Sequence, residues 1–200
     1  MKKFLAIIAA TTLLLTGCSQ VGAAATVGDT KITQATVQGS VDSLLAERAK
    51  VDVTQMQLET GEALNRSQLR FHLLSKLLRA LGKELKIEVT KAEIDTRRAS
   101  ILEQVGGASA LPTALVSAGI APADLDTYIE AISLSDKISK ALIAAGVAED
   151  QVGSEIQKLV VAKSKELGVT INPRYGKWNA ETADIVAADP ASSAVTPSGK

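Results

Sequence analysis

Metal-binding and redox side chains are nearly absent: the 200 residues hold one cysteine, Cys18, and one histidine, His72. A Cys/His zinc site or an iron–sulfur cluster needs three or four such ligands, so no metal is expected. An excess of one charge is also missing. Lys and Arg number 22 against 22 Asp and Glu, interleaved along the chain, whereas a nucleic-acid binder clusters basic residues on one face. No Gly-x-x-x-x-Gly-Lys-Ser/Thr loop, Gly-x-Gly-x-x-Gly turn or Gly-x-Ser-x-Gly elbow occurs, so neither a nucleotide cofactor nor a serine-hydrolase nucleophile is indicated. Acid pairs such as Glu93/Asp95 and Glu149/Asp150 fall in helical first turns, where carboxylates favour the helix dipole. Aromatic residues make up 2% and hydrophobic residues 46%, which suits one modest domain.

What is present begins with an address. Met1-Lys2-Lys3 is positive, and Phe4 to Leu15 is an apolar run of 12 residues, too short to span a bilayer comfortably but suited to a signal-peptide core. Leu15-Thr16-Gly17-Cys18 follows and resembles the bacterial lipobox, in which a Cys behind small residues is acylated and becomes the mature N-terminus. Residues 1–17 are therefore expected to be a lipoprotein signal peptide, and Cys18 the lipidation site anchoring the chain to a membrane. Removing residues 1–17 takes away Lys2 and Lys3 and no acid, leaving a small negative charge. Residues 18–25 (CSQVGAAA) are expected to form a short tether.

Beyond the tether, Val27 and Ile32 flank a Gly28-Asp29 turn, which predicts two brief strands. From Thr33 to Lys50 the pattern is helical, with Val37, Val41, Leu44 and Leu45 on one face. Residues 51–65 lack periodicity and read as a loop. Leu69, Leu73, Leu74, Leu77, Leu78, Leu81 and Leu85 then form a stripe at helical spacing, with Asn65 or Ser67 as N-cap; this helix is the expected spine. Thr90 to Glu93 fits a capping box, and Gly106-Gly107 closes that helix. A short helix starts at Ser109 with Pro112 in its first turn and stops at Gly119. Another opens at Ala121 to Asp124 and ends at Gly146, with Leu125, Tyr128, Ile129, Ile132, Ile138 and Leu142 facing inward. The last helix spans about Ala148 to Leu167, before Gly168 and a strand at Val169 to Ile171. The Ala/Ser/Pro-rich residues 179–200 are expected to be a disordered tail. His72 shares its helical neighbourhood with Gln68, Ser75 and Lys76, which predicts a boundary histidine on the polar flank of the leucine stripe.

The order of TVGDTKIT, a helix, the leucine-rich QLRFHLLSKLLRALGKELKI, VTKAEID and ALVSAGIAPADLDTYI resembles the N-terminal domain of SurA-like and PrsA-like extracytoplasmic chaperones, over residues 25–170. VTINPRYGKW is similar to the closing strand of related bacterial lipoproteins. The resemblance implies a mostly α fold over residues 26–178: a helical SurA N-terminal-like domain with a few short β-strands, in which the N-terminal and C-terminal segments meet. Full members insert a parvulin-type prolyl isomerase domain before the final helix, where this chain has only Ala144 to Val147. A parvulin site, as the family implies, uses histidines with a Cys or Asp, and this chain has one His and an acylated Cys. The implied function is accordingly an extracytoplasmic, lipid-anchored, ATP-independent holdase for unfolded exported proteins, and not an enzyme. Met56, Leu58, Phe71 and Tyr128 are the candidate client-binding residues, because Met and aromatic side chains adapt to varied partners. The alternatives are a helical adaptor lipoprotein that docks one envelope partner, or a prolyl isomerase-related protein.

Overall fold

Residues 22–188 are described by a computed structural model; Cys18, the segment before it and residues 189–200 lie outside the described residues. Strands β1 (Ala23–Val27) and β2 (Thr30–Thr33) pair antiparallel about the Gly28-Asp29 turn. Residues 23–25, expected in the tether, are therefore strand. Ala23, Ala24 and Ala25 belong to the central strand and are buried, because small side chains let the sheet sit close against the helices. Helix α1 (Gln34–Arg48) starts where the Thr33 hydroxyl accepts the Thr36 amide at 3.0 Å. It buries Val37, Val41 and Leu44; Leu45, expected on the same face, is 46% exposed.

Helix α2 (Gly61–Leu85) is the spine, its 25 residues spanning roughly 37 Å. Leu69, Leu73 and Leu77 are fully buried and Leu81 nearly so, packed against β1, α1 and the later helices. The helix begins at Gly61, earlier than the caps expected at Asn65 or Ser67. The reason is Leu64, which is buried with Val41, Leu44, Val116 and Ala121, so the extra turn removes apolar surface from water. Asn65 instead bonds back to the Gly61 carbonyl at 2.8 Å.

Helix α3 (Lys91–Gln104) carries the expected capping box, Glu93 accepting the Thr90 amide at 2.8 Å and Thr90 accepting the Glu93 amide at 3.3 Å. Helix α4 (Leu111–Ala118) follows, two residues later than Ser109 suggested, and Gly119 ends it in the left-handed conformation. A 3-10 turn (Pro122–Asp124) leads into α5 (Leu125–Ala144), which buries Leu125, Ile129, Leu134 and Ile138. A second 3-10 turn (Glu149–Gln151) opens α6 (Val152–Leu167). Strand β3 (Val169–Ile171) then pairs antiparallel with β1, Thr26 opposite Thr170, giving the sheet order β2-β1-β3. The two ends of the domain meet there, as expected.

The expected tail is structured in its first third. Strands β4 (Lys177–Asn179) and β5 (Asp184–Val186) form a hairpin whose Ala183 and Ile185 join Tyr175 in the main core, with Trp178 packed against it. Arg70 on α2 pairs with Asp184 at 2.9 Å and Gln157 donates to the Thr182 carbonyl at 2.6 Å. The hairpin depends on Gly176, whose φ of 124° and proximity to the Val186 carbonyl oxygen leave no room for a Cβ.

Helix α3 is the exception to this packing, since none of its residues is buried. Ile94 and Ile101 touch the α4/α5 cluster, and the rest of its hold on α5 is ionic: Arg97 with Asp136 at 3.3 Å, Lys137 with Glu93 at 2.6 Å, and Arg98 with Asp126. The Lys137 ammonium above all, and then the Thr90 amide, hold the Glu93 carboxyl down to about 2.

Two outcomes follow for stability. Gly176→Ala should lower unfolding stability by about 1–3 kcal/mol, whereas Gly153→Ala, in α6 with open space around its Cβ position, should raise it by about 0.5–1 kcal/mol, both read by urea titration. Amide exchange should be faster in α3 than in α2. Salt at about 1 M, where the screening length is ~3 Å, should selectively lower the protection of α3 relative to the intrinsic exchange rate, as should lowering the pH from 4.5 toward 2, because the contribution of Glu93 is full above about 4.5 and is lost as the pH falls to about 2.

Candidate functional site

The corner between α4 and α5 shapes a cleft that holds most of the candidate residues. Gly119 turns the chain, its carbonyl accepts from Gln68 Nε2 at 3.0 Å, and Ile120 donates to the Leu115 carbonyl at 2.9 Å. Across from this corner, the loop before α2 brings up Gln57, Leu58 and Glu59. Between them lies a cavity of about 400 Å³, within the size range of small ligand sites, walled also by Leu64, Ser67, Phe71 and Tyr128. A second cleft of about 250 Å³, lined by Ile101, Leu111, Leu115 and Leu125, lies between α3, α4 and α5. The two adjoin across Ala118, Ile120 and Tyr128, which line both, and together make up a trough divided at these residues.

Three of the four candidate client-binding residues stand on this trough: Leu58, Phe71 and Tyr128. Met56 does not. It packs, partly buried, against the Val41, Leu44, Leu64 and Val116 cluster, as Leu58 also does. Cys18 lies outside the described residues. Sequence reasoning passed over Arg48 and Gln68, which also line the cavity. Arg48 stands in the last turn of α1, where a basic side chain is ordinary, and Gln68 entered only as a neighbour of His72.

Beneath the trough sits a polar knot. His72 is not on a polar flank; it is 8% exposed, between α1, α2 and the 3-10 turn. Its Nε2 lies 2.8 Å from Ser40 Oγ, and Ser40 donates to Asp124 Oδ2 at 2.5 Å. A hydroxyl has one proton to give, so with Asp124 receiving it, Nε2 of His72 is the donor to Ser40. The order is hydroxyl between imidazole and carboxylate. In a nucleophilic triad the imidazole stands in the middle, and here Ser40 is 3% exposed and off the cavity wall. The knot therefore ties three elements and presents Asp124 to the trough. Phe71 adds an edge contact to the His72 ring, with centroids 5.1 Å apart.

Burial pushes the His72 pKa below its ordinary 6.5; Asp124 pulls it up, and Lys76 and Arg79 push it further down. A depressed histidine takes its proton in the unfolded state first, so stability is full above about 6.5 and falls as pH drops below it. Thermal denaturation at pH 7.5 and 5.5 should show that loss, and His72→Gln should flatten it; an equal pH slope in both proteins would contradict this account.

No protein-family description, no curated protein and no solved structure matches the chain.

Proposed function

We propose that the protein is a membrane-anchored extracytoplasmic lipoprotein that acts as an ATP-independent holdase, binding apolar segments of unfolded exported proteins in the trough on either side of Tyr128. The observation that carries this reading is the pair of adjoining clefts, lined by Leu58, Leu64, Phe71, Ile120 and Tyr128 on one side and Ile101, Leu111 and Leu115 on the other. Polar groups interrupt the apolar wall at Gln57, Ser67, Gln68 and Ser117, and a peptide can answer these with its own amides. One wall is α3, held mainly by exposed ion pairs, so the trough can widen for side chains of different size at small cost. With no nucleotide to drive release, affinity must be low enough for clients to leave by themselves. Acylated Cys18 would keep the domain within a few residues of the bilayer, since β1 starts at Ala23.

The test is light scattering from a thermally unfolding client with and without the purified protein, in the absence of ATP. Suppression near equimolar ratio is expected, and Leu58→Ser with Tyr128→Ser should weaken it several-fold while leaving the helical signal intact. No suppression at about tenfold excess would contradict the holdase, because a weak trough should be saturated by then. Recovery of one stoichiometric envelope protein, with no effect on unfolded clients, would favour the adaptor.

A further inference from the structure

The point at which the chain enters the domain is fixed. Gln34, the first residue of α1, donates its backbone amide to the Gly22 carbonyl at 2.8 Å, and its side chain and that of Asn172 both donate to the Ala23 carbonyl at 3.3 Å. From Gly22 back to Cys18 is four residues, which reach at most ~14 Å however they run. An acyl anchor at Cys18 therefore confines one part of the surface to the bilayer, the part around Gly22. That surface has a chemistry of its own. Arg174 lies exposed on it, its Nη1 donating to Gln34 Oε1 at 3.1 Å and its guanidinium 5.5 Å from the centre of the Tyr175 ring. The next turn, at Gly176, lies against the Val186 carbonyl oxygen. Val186 stands opposite Lys177 in the β4–β5 hairpin, and both are exposed, Val186 by 44%. Residues 169–178 contain no acid, and the acids Glu181 and Asp184 of the hairpin pair with Lys165 and Arg70.

The far end of α1 has the opposite character. Its 15 residues rise roughly 22 Å, from Gln34 at the entry point to Arg48 on the trough wall. Between Leu45 and Glu62 the acids Glu47, Asp52, Glu59 and Glu62 outnumber the bases Arg48 and Lys50. Charge is thus graded along the helix, positive where the tether enters and negative at the trough, so an anionic surface attracts the first end and repels the second. Each cation close to such a surface is worth about fivefold in partitioning, and an exposed valine beside two cations suits the headgroup boundary. We infer that the domain rests on anionic phospholipid headgroups through Arg174, Lys177 and Val186, with α1 pointing away from the bilayer and the trough held about 20 Å from the entry point on the side away from the membrane. The inference rests on the lipoprotein reading, and adds to it the docked face and the orientation of the trough.

The sample is the acylated protein in vesicles of phosphatidylcholine with about one-third phosphatidylglycerol. Acylated Cys18 has no thiol to label, so a fluorophore can be attached at Pro173→Cys on the docked face, or at Gln57→Cys on the trough rim, and quenched by a nitroxide on the lipid headgroup. Quenching is expected to be several-fold stronger at Pro173→Cys than at Gln57→Cys. The contrast should shrink in about 0.5 M salt, on vesicles of phosphatidylcholine alone, and with Arg174→Glu and Lys177→Glu combined, the helical signal staying intact. Equal quenching at the two positions, or stronger quenching at Gln57→Cys, would overturn the inference, as would a contrast that survives unchanged on the neutral vesicles; neither result depends on the charge-reversed protein folding. The lipoprotein reading fails separately. A mature chain whose mass shows no acyl groups would retire that reading and the docked face with it, whereas an acylated chain with equal quenching would retire the docked face alone.

Discussion

Burial of the α2 leucine stripe is the constraint on which the other elements depend. Leu69, Leu73, Leu77 and Leu81 need partners on several sides, and α1, α5, α6 and β1 each supply one. An isolated helix of this composition would expose that stripe to water, so its stability is tertiary. The closing of the chain ends follows from the same need. β1 lies against α2 only if it is held in a sheet, and its neighbours are β2 on one edge and β3, from after α6, on the other. Gly28 donating to the Gly168 carbonyl at 3.1 Å and Asn172 to the Ala24 carbonyl at 2.8 Å fasten the two ends at either side of that pairing.

Away from the spine the packing thins in a graded way. The main core joins α2, the sheet, α6 and the β4–β5 hairpin; a second small cluster binds α1 to the loop before α2 and to α4; a third joins α3, α4 and the start of α5. The trough lies along the boundaries between the second and third clusters, where elements touch without filling the space between them. The Ser40, His72 and Asp124 knot stiffens its floor, while α3 leaves one wall loosely held. A rigid floor with a compliant wall suits a site that accepts varied side chains.

Much of this was legible in the sequence because the signals were local and periodic. The leucine stripe, the Thr90/Glu93 capping box and the stops at Gly119 and Gly168 are each written within a few residues. The misplaced features depend on distant partners. Residues 179–186 look like the start of an Ala-rich tail, and only contact with α2 and α6 makes Ala183 and Ile185 core. His72 looked peripheral because its partners Ser40 and Asp124 lie 32 and 52 positions away, on elements that only the folded helices bring together. The start of α2 moved for the same reason, through Leu64. Leu58, Phe71 and Tyr128, chosen by residue type alone, line the trough, and Met56, chosen on the same ground, does not: residue type cannot say which side of a thin wall a side chain faces.

Hydrogen exchange with and without an unfolded client tests the central claim most directly, because it reports every segment at once in the intact protein. The account predicts new protection confined to the loop around Leu58, the first half of α2 near Phe71, and the Gly119 to Tyr128 corner, with α6 and the sheet unchanged. Protection centred on the β2 or β3 edge, or none in the trough while client is bound, would contradict it.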